Sequence, residues 1–84
     1  MSRKLYVGNL SGAATEVTLA VKFSEHGKVD RVRLITDHGT GRSLGYAFVE
    51  MATAAEARRA IEALDGERYD GGDLVVRAAI PRRA

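Results

Sequence analysis

The sequence predicts an α+β sandwich in which four strands form one sheet and two helices cover one of its faces. The first observation is the order of β-prone and helix-prone runs, which is strand, helix, strand, strand, helix, strand. The second is that only the two helices can bury the apolar side of such a sheet, which leaves the other face open. The third is size: 84 residues, 45% of them hydrophobic, suit one domain spanning 1–84 with its core at about 4–79.

The first half of the chain supplies two strands and the helix between them. Residues 5–7 are β-prone and are closed by glycine and asparagine, which indicates a short strand followed by a loop. Thr15 is a suitable N-cap for a helix over residues 15–26, and Gly27 ends that helix. Residues 29–35 alternate between apolar and charged side chains, so they predict a half-buried strand with its arginines on the exposed side.

The second half supplies two more strands around a second helix. A polar loop over residues 37–43 leads into a strand over 45–51 that is rich in aromatic and β-branched residues. Thr53 and Glu56 have the spacing of a capping box and open an alanine-rich helix, which stops at an Asp-Gly pair. A turn-rich stretch with two glycines precedes the last strand, residues 74–79. The predicted topology is therefore the βαββαβ order of a ferredoxin-like sandwich.

Three aromatic side chains are predicted on the open face of the sheet. Tyr6 lies between two apolar residues that suit the core, so it points the other way, because successive strand residues alternate between faces. By the same alternation Tyr46, Phe48 and Glu50 project from the third strand. The chain has only three Tyr and two Phe, and exposed apolar clusters mark binding surfaces. Rings on an uncovered sheet can stack nucleic-acid bases, so this face is a candidate site for single-stranded nucleic acid.

Two segments carry a resemblance to a known family. Residues 5–10, LYVGNL, resemble the hexamer motif of the RNA-recognition motif domain, and residues 44–51, LGYAFVEM, resemble its octamer. The loop at 40–43 and the Leu-Asp-Gly ending of the second helix at 64–66 fit the family as well, and the resemblance covers about residues 4–79. It implies a four-stranded antiparallel sheet in the order fourth, first, third, second, with the two motifs on neighbouring central strands.

The resemblance also implies roles for individual residues in RNA binding. Tyr6 and Phe48 would each stack one base, and Tyr46 would pack against the sugars between the two nucleotides. Glu50 and residues of the last strand would lie beside the base edges. The predicted RNA-binding set combines these with basic side chains around the rings and one asparagine: Tyr6, Tyr46, Phe48, Lys4, Asn9, Arg31, Arg33, Arg42, Glu50, Arg77, Ala79 and Arg82.

Two positions depart from the family pattern. The first octamer residue is Leu44, where the pattern has lysine or arginine, so one charge-assisted contact to a phosphate is missing. Arg42, two residues earlier, would substitute for it if the loop bends toward the same side. The last octamer residue is Met51 in place of an aromatic, and alternation turns it toward the core, where it affects packing and not RNA contact. The sequence therefore predicts RNA binding that is intact in kind and reduced in strength.

The charges of the predicted face differ from those of the helices. The formal net charge of +2 permits a nucleic-acid partner without arguing for one. Four acidic residues lie in the helices, away from the sheet face: Glu16, Glu25, Glu56 and Glu62. Basic residues flank the predicted rings on the second and last strands and lie at both ends of the chain: Arg3, Lys4, Arg31, Arg33, Arg77, Arg82 and Arg83. We therefore expect a locally positive face whose affinity for RNA falls as the salt concentration rises.

Composition disfavours several classes of function. The chain has no cysteine, which excludes disulfides and thiolate metal sites, and neither a metal nor a cofactor is predicted. No stretch approaches the ~20 apolar residues of a membrane span. We predict a non-enzymatic, cytoplasmic protein of post-transcriptional regulation that binds single-stranded RNA, with single-stranded DNA as a second partner. Its size and layout resemble those of the small single-domain RNA-binding proteins of bacteria.

Two other functions remain open on the same fold. The first is a protein-interaction module, which Leu44 in place of a cation favours. Val17, Ala20 and Val21 lie away from the main apolar face of the first helix, so either the helix is rotated to bury them, as we expect, or they form an exposed stripe for a protein partner or weak self-association. The second is a small acylphosphatase-like enzyme, which is disfavoured because the only asparagine, Asn9, lies in the hexamer.

Overall fold

The structure is a computed structural model that describes residues 2–79, and its element order is the predicted one with one addition. The elements are β1 (Lys4–Gly8), α1 (Glu16–Ser24), β2 (Val29–Thr36), β3 (Ser43–Met51), α2 (Ala54–Leu64), β4 (Arg68–Tyr69), β5 (Gly72–Asp73) and β6 (Val75–Ala78). The addition is the separate hairpin of β4 and β5, where Arg68 lies opposite Asp73. The sequence had indicated only turns in that stretch.

The four longer strands form one antiparallel sheet in the order β2-β3-β1-β6. This confirms the predicted order, since β6 is the fourth strand of the predicted topology. The strands that carry the hexamer and the octamer, β1 and β3, are neighbours at the centre of the sheet. The register of β2 against β3 shifts between Val29 and Arg31 and again between Leu34 and Thr36. Such irregularities bend and twist an edge strand locally.

A single core lies between the sheet and the two helices. Met51 is fully buried, which confirms that the last octamer residue faces the core. The same core contains the strand residues that alternate with the aromatics and the inward residues of both helices: Leu5, Val7, Ala47, Val49, Leu19, Phe23, Ala57, Ala60 and Leu64. No polar or charged side chain among the described residues is buried. Apolar burial is therefore the main attraction between the two layers, and hydrogen bonds from the Leu34 and Val76 N–H groups to the carboxylates of Glu16 and Asp65 add to it.

α1 has the predicted N-cap but ends earlier than predicted. The Thr15 side chain accepts a hydrogen bond from the backbone N–H of Thr18, and the Thr18 side chain accepts one from the N–H of Thr15. The helix ends at Ser24 and not at residue 26, because the chain turns there toward the start of α2. Neither helix of the described residues is long and apolar enough to cross a membrane.

The valines of α1 are exposed, so the expectation that helix rotation buries them is wrong. Val17 is 72% exposed and Val21 is 60% exposed, whereas Leu19 and Phe23 are fully buried. At 100° per residue, Val17 and Val21 each lie about 160° from Leu19, so a helix that buries one side must expose the other. The larger Phe23 side chain lies on the Leu19 side and fixes which side faces the sheet.

Glu56 joins the start of α2 to the turn that follows α1. The Thr53 hydroxyl accepts a hydrogen bond from the Glu56 backbone N–H, which is one half of the predicted capping box. The Glu56 carboxylate accepts bonds from the Lys28 backbone N–H at 2.9 Å and from the Thr53 hydroxyl at 3.0 Å. These bonds, first of all the one from Lys28, lower the pKa of Glu56. A Cβ at Gly27 would lie 2.7 Å from the Glu56 Cβ, so the close approach requires glycine there.

Candidate nucleic-acid interface

The sheet register places two rings between two arginines in one row across the open face. Arg33 of β2 lies opposite Phe48 of β3, Phe48 lies opposite Tyr6 of β1, and Tyr6 lies opposite Arg77 of β6. Directly opposed residues of antiparallel strands project to the same face. We call Arg33, Phe48, Tyr6 and Arg77 the central row. Its aromatic members occupy the two middle strands, and its cations occupy the two edges.

Three aromatic rings contact one another on this face. The ring centroids of Tyr6 and Phe48 are 6.1 Å apart with planes at 66°, and those of Tyr46 and Phe48 are 6.1 Å apart at 88°. Tyr6 and Tyr46 are stacked at 5.8 Å and 29°. All three are half-buried. Edge-to-face and offset arrangements of this kind stabilise ring pairs by about 0.5–1.5 kcal/mol each, so the cluster holds its own geometry.

Gly8 makes room for the ring of Tyr6. A Cβ at position 8 would lie 2.7 Å from the Tyr6 hydroxyl oxygen and 2.8 Å from a ring carbon. The Tyr6 side chain therefore lies along β1 and over the backbone of the second residue after it. Any larger residue at position 8 would push the ring aside. From the sequence, Gly8 was expected only to end the strand. Its position two residues after Tyr6, on the same face of the strand, could have indicated the contact with the ring.

Two cations lie against the rings. The Lys4 ammonium nitrogen is 4.9 Å from the centroid of the Phe48 ring, and the guanidinium carbon of Arg77 is 5.9 Å from the centroid of Tyr6. Both distances fall within the range of a cation–π contact. Because both side chains are exposed, these contacts are weak, and the cations remain available to a ligand that approaches the rings.

A second row carries most of the remaining charge of the face. Glu50 of β3 lies opposite Arg31 on one side and opposite Lys4 on the other. We call Arg31, Glu50 and Lys4 the charged row. Ala79 follows β6 beside it, where its N–H donates to the Lys4 carbonyl and its carbonyl accepts from the Ser2 hydroxyl. The predicted backbone contact from Ala79 to RNA must therefore use the remaining lone pair of its carbonyl.

Asn9 has a structural role beside the predicted one. Its backbone has a positive φ of 59°, which asparagine tolerates better than most residues. Its side-chain amide donates a 2.8 Å hydrogen bond to the carbonyl of Asp73. Asn9 thus ties the loop after β1 to the β4–β5 hairpin, next to the open face.

Arg42 lies at the end of the β2–β3 loop. The Asp37 N–H donates to the Arg42 carbonyl at 2.8 Å, which closes the loop. Arg42 borders a surface cavity of about 430 Å³ whose other lining residues include Ala14 and Leu34, and these belong to the helix side of the sheet. Whether Arg42 replaces the missing cation at position 44 stays a prediction.

The Asp37 carboxylate is occupied within the same loop. It accepts hydrogen bonds from the N–H and hydroxyl of Thr40 and from the N–H of Gly39. These bonds, with Thr40 as the largest contributor, lower the pKa of Asp37. Within residues 2–79 no three metal-ligating side chains cluster. The loop is therefore organised by its own aspartate.

Arg3, a basic residue near the N-terminus, makes contacts within the fold. Arg3 forms an ion pair with Asp30 at 3.2 Å, and it also donates to the Met51 carbonyl at 3.1 Å. It therefore fastens the chain just before β1 to the start of β2 and the end of β3, and its contribution to the charge of the RNA-facing surface stays a prediction. Arg82 and its neighbour Arg83 lie outside the described residues.

The family of the chain follows from comparison with known proteins. Residues 5–75 match the family model for the RNA recognition motif. The chain is 53% identical over 78 residues to the RbpA protein of Nostoc sp. (strain PCC 7120), which is named provisionally as RNA-binding, and the match covers 93% of this chain and 76% of that protein. The chain therefore belongs to the RNA recognition motif family.

Two solved structures with more than 30% sequence identity to the chain share its fold. The crystal structure of RNA binding protein PG1 superposes with a TM-score of 0.91 at 42% identity, covering 99% of this chain and 100% of that one. The Sxl-lethal protein–RNA complex superposes with a TM-score of 0.93 at 31% identity, covering 99% of this chain and 50% of that one. These matches confirm the ferredoxin-like βαββαβ fold that the sequence predicted.

Proposed function

We propose that this chain binds short single strands of RNA by stacking bases on Tyr6 and Phe48, and that it performs no chemistry. The observation that carries the proposal is the central row, in which two neighbouring rings stand between Arg33 and Arg77. Rings accept bases of any sequence because every base has a π face, and flanking cations accept the phosphates. Family membership and the RNA complex of a structural relative support the same function.

The size of the ring cluster limits the expected affinity. Each base stacked on an aromatic ring contributes about 1–3 kcal/mol, so two stacks give about 2–6 kcal/mol. Part of this is offset by ordering the RNA strand and the exposed cations. We therefore expect modest affinity for about two to four nucleotides, with sequence preference small or moderate. Single-stranded DNA, whose bases offer the same kind of π face, is a weaker second ligand in this proposal.

The remaining face residues take the contacts that do not depend on stacking. Tyr46 packs against sugars between the two stacked nucleotides, which favours RNA wherever the 2′-hydroxyl is in contact. Glu50 accepts hydrogen bonds from base amino groups, since a carboxylate is an acceptor only. Lys4 and Arg31, on either side of Glu50, bind phosphates and also keep the carboxylate from repelling the RNA backbone.

A titration with a ring-deleted variant tests the proposal. Short labelled RNAs are titrated into the wild type and into Phe48→Ala, and Val17→Ala serves as the control because Val17 is 72% exposed on the opposite layer. We expect Phe48→Ala to bind roughly 5- to 150-fold more weakly, which corresponds to the free energy of one stack, and Val17→Ala to bind like the wild type. Equal affinity of Phe48→Ala and wild type, with both folded, would refute stacking.

A second candidate function is supported by the exposed side of α1. Val17 and Val21 project beside a surface groove of about 780 Å³ between α1 and β2, and the small Ala20 lies between them. In this alternative the stripe mediates weak self-association or binds a protein. Sedimentation equilibrium of the wild type and Val21→Lys at high concentration tests the self-association, which predicts a dimer for the wild type only. In this alternative, adding RNA should leave the chemical shifts of the open face unchanged.

A further inference from the structure

The cations of the open face are confined to one part of it. The central row carries Arg33 and Arg77 at its edges, and the charged row beside it carries Arg31 and Lys4 around Glu50. Rows two residues apart along a strand are separated by about 7 Å. Toward the other end, the described strands carry no further cation on this face, and Arg42 of the β2–β3 loop borders a cavity on the helix side of the sheet.

The row on the other side of the central row has no charged member. Gly8 of β1 lies opposite Val75 of β6. Val75 projects to the open face because Val76 is buried and Arg77 lies against the Tyr6 ring. Tyr46, two residues before Phe48 on β3, completes this row through its contacts with the other rings. We call Tyr46, Gly8 and Val75 the uncharged row.

Leu44 extends the uncharged row. Ser43 lines a cavity on the helix side of the sheet together with Ala14 and Leu34, so the next strand residue, Leu44, projects to the open side. Leu44 is 53% exposed. Gly45, with a positive φ of 89°, follows it and accepts a hydrogen bond from the Leu10 N–H, which fixes the strand at this point.

We infer that the Leu44 end of the face holds a nucleotide through apolar contact with its base or sugar and makes no phosphate contact. This inference rests on the proposed function and refines it, because it assigns different kinds of RNA contact to the two ends of the face. RNA contacts at the Lys4 end depend on salt, since they release counterions, whereas contacts at the Leu44 end do not. Leu44 thereby limits the number of phosphates that the domain neutralises and supplies a part of the affinity that persists at high salt.

The salt dependence of binding measures directly how many phosphates the domain neutralises. For single strands the slope of log K against log salt concentration is about −0.7 per neutralised phosphate. A lysine at position 44 would reach a phosphate that the wild type leaves alone. We therefore expect Leu44→Lys to steepen the slope by about 0.7.

The experiment compares four proteins in titrations of one short RNA at several salt concentrations: wild type, Leu44→Lys, Leu44→Ala and Val17→Lys. Val17→Lys is the matched control, because it adds the same charge at an exposed valine of α1, away from the open face. We expect a steeper slope in Leu44→Lys, several-fold weaker binding with an unchanged slope in Leu44→Ala, and a slope close to that of the wild type in Val17→Lys.

RNAs with one uncharged methylphosphonate linkage locate the effect. The linkage at the Leu44 end should be replaceable without loss of wild-type affinity, and the same replacement should weaken Leu44→Lys. An unchanged slope in Leu44→Lys, or wild-type affinity of Leu44→Ala, overturns the inference. If Phe48→Ala loses binding while Leu44→Ala does not, this inference alone fails. If neither variant loses binding, the stacking proposal fails with it.

Discussion

The ring of Tyr6 lies directly over the backbone of Gly8, so that a Cβ at position 8 would stand 2.7 Å from the Tyr6 hydroxyl oxygen. This contact joins a base-stacking candidate to a residue that has no side chain of its own. It also explains why β1 carries a glycine at its end, where a β-branched residue would pair better. The ring of Tyr6 can therefore take this position only because residue 8 has no side chain.

Gly8→Ala should weaken RNA binding more than it weakens the fold. The added methyl group displaces the Tyr6 ring, which is a flexible side chain, so the backbone of β1 can stay in place. We expect binding to fall by about the 1–3 kcal/mol of one stack, with a smaller change in the free energy of unfolding. RNA titration and urea unfolding measure the two. Gly12→Ala is the control, because a Cβ there meets nothing within 4 Å; equal affinities of the two variants would contradict this role of Gly8.

The arginines of the central row should contribute to affinity through phosphates. Arg77→Gln and Arg33→Gln are each expected to weaken RNA binding and to reduce the magnitude of the salt slope by about 0.7, since each removes one counterion-releasing contact. Titrations at several salt concentrations measure the slope. Arg59→Gln, on the exposed side of α2, removes the same charge elsewhere and should leave the slope unchanged. A slope that responds equally to all three variants would indicate a nonspecific effect of net charge.

Two residues of α1 should differ sharply in their effect on stability. Leu19→Ala removes a fully buried side chain, and such changes cost about 2–5 kcal/mol in the free energy of unfolding. Val17→Ala removes a side chain that is 72% exposed and should change that free energy by about 0.5 kcal/mol or less. Chemical denaturation of both variants measures the difference. A large loss in Val17→Ala would mean that the valine stripe is covered in solution, as self-association requires.

The Glu56 carboxylate should add to the acid sensitivity of the fold. Its pKa is lowered in the folded state, chiefly by the Lys28 N–H bond, so its stabilising effect is complete above its unfolded pKa and is lost as the pH falls through its lower folded pKa. Glu56→Gln should be less stable than the wild type at neutral pH, and the difference should shrink toward pH 3. Urea unfolding at a series of pH values measures this.

Glu25→Gln is the control for the pH dependence, because within residues 2–79 the exposed Glu25 side chain accepts no hydrogen bond. Its stability should fall with acid in parallel with the wild type. The assignment to Glu56 would be wrong if the difference between wild type and Glu56→Gln stayed constant from neutral pH to pH 3.

Much of the fold could be predicted because each element carries a local signal. Thr15 caps α1 as its residue type suggests, and the alternation along β3 places Met51 and the aromatics on opposite faces. The packing of both helices on one face of the sheet was predicted from the need to bury apolar surface. The β4–β5 hairpin was missed, because strands of two residues in a turn-rich stretch have the same sequence pattern as the turns themselves.

The candidate site was predictable only as a list of side chains. Alternation brought Tyr6, Tyr46 and Phe48 to one face, but not their contact distances or the ring over Gly8. Arg3 looked available from its position near the N-terminus, and the structure uses it to bond Asp30 and the end of β3. Such contacts join residues far apart in the chain, so no local pattern can reveal them.

The sequence by itself determined the class of fold, the two ring-bearing strands and the missing cation at Leu44, because these depend on residue type and on spacing within one element. The tertiary structure decided the rest. It aligned Arg33, Phe48, Tyr6 and Arg77 in one row through the strand registers, and it turned the valines of α1 outward. The physical reason is the same in both cases: registers and helix rotation are settled by which side chains fill the shared core, and that competition involves every element at once.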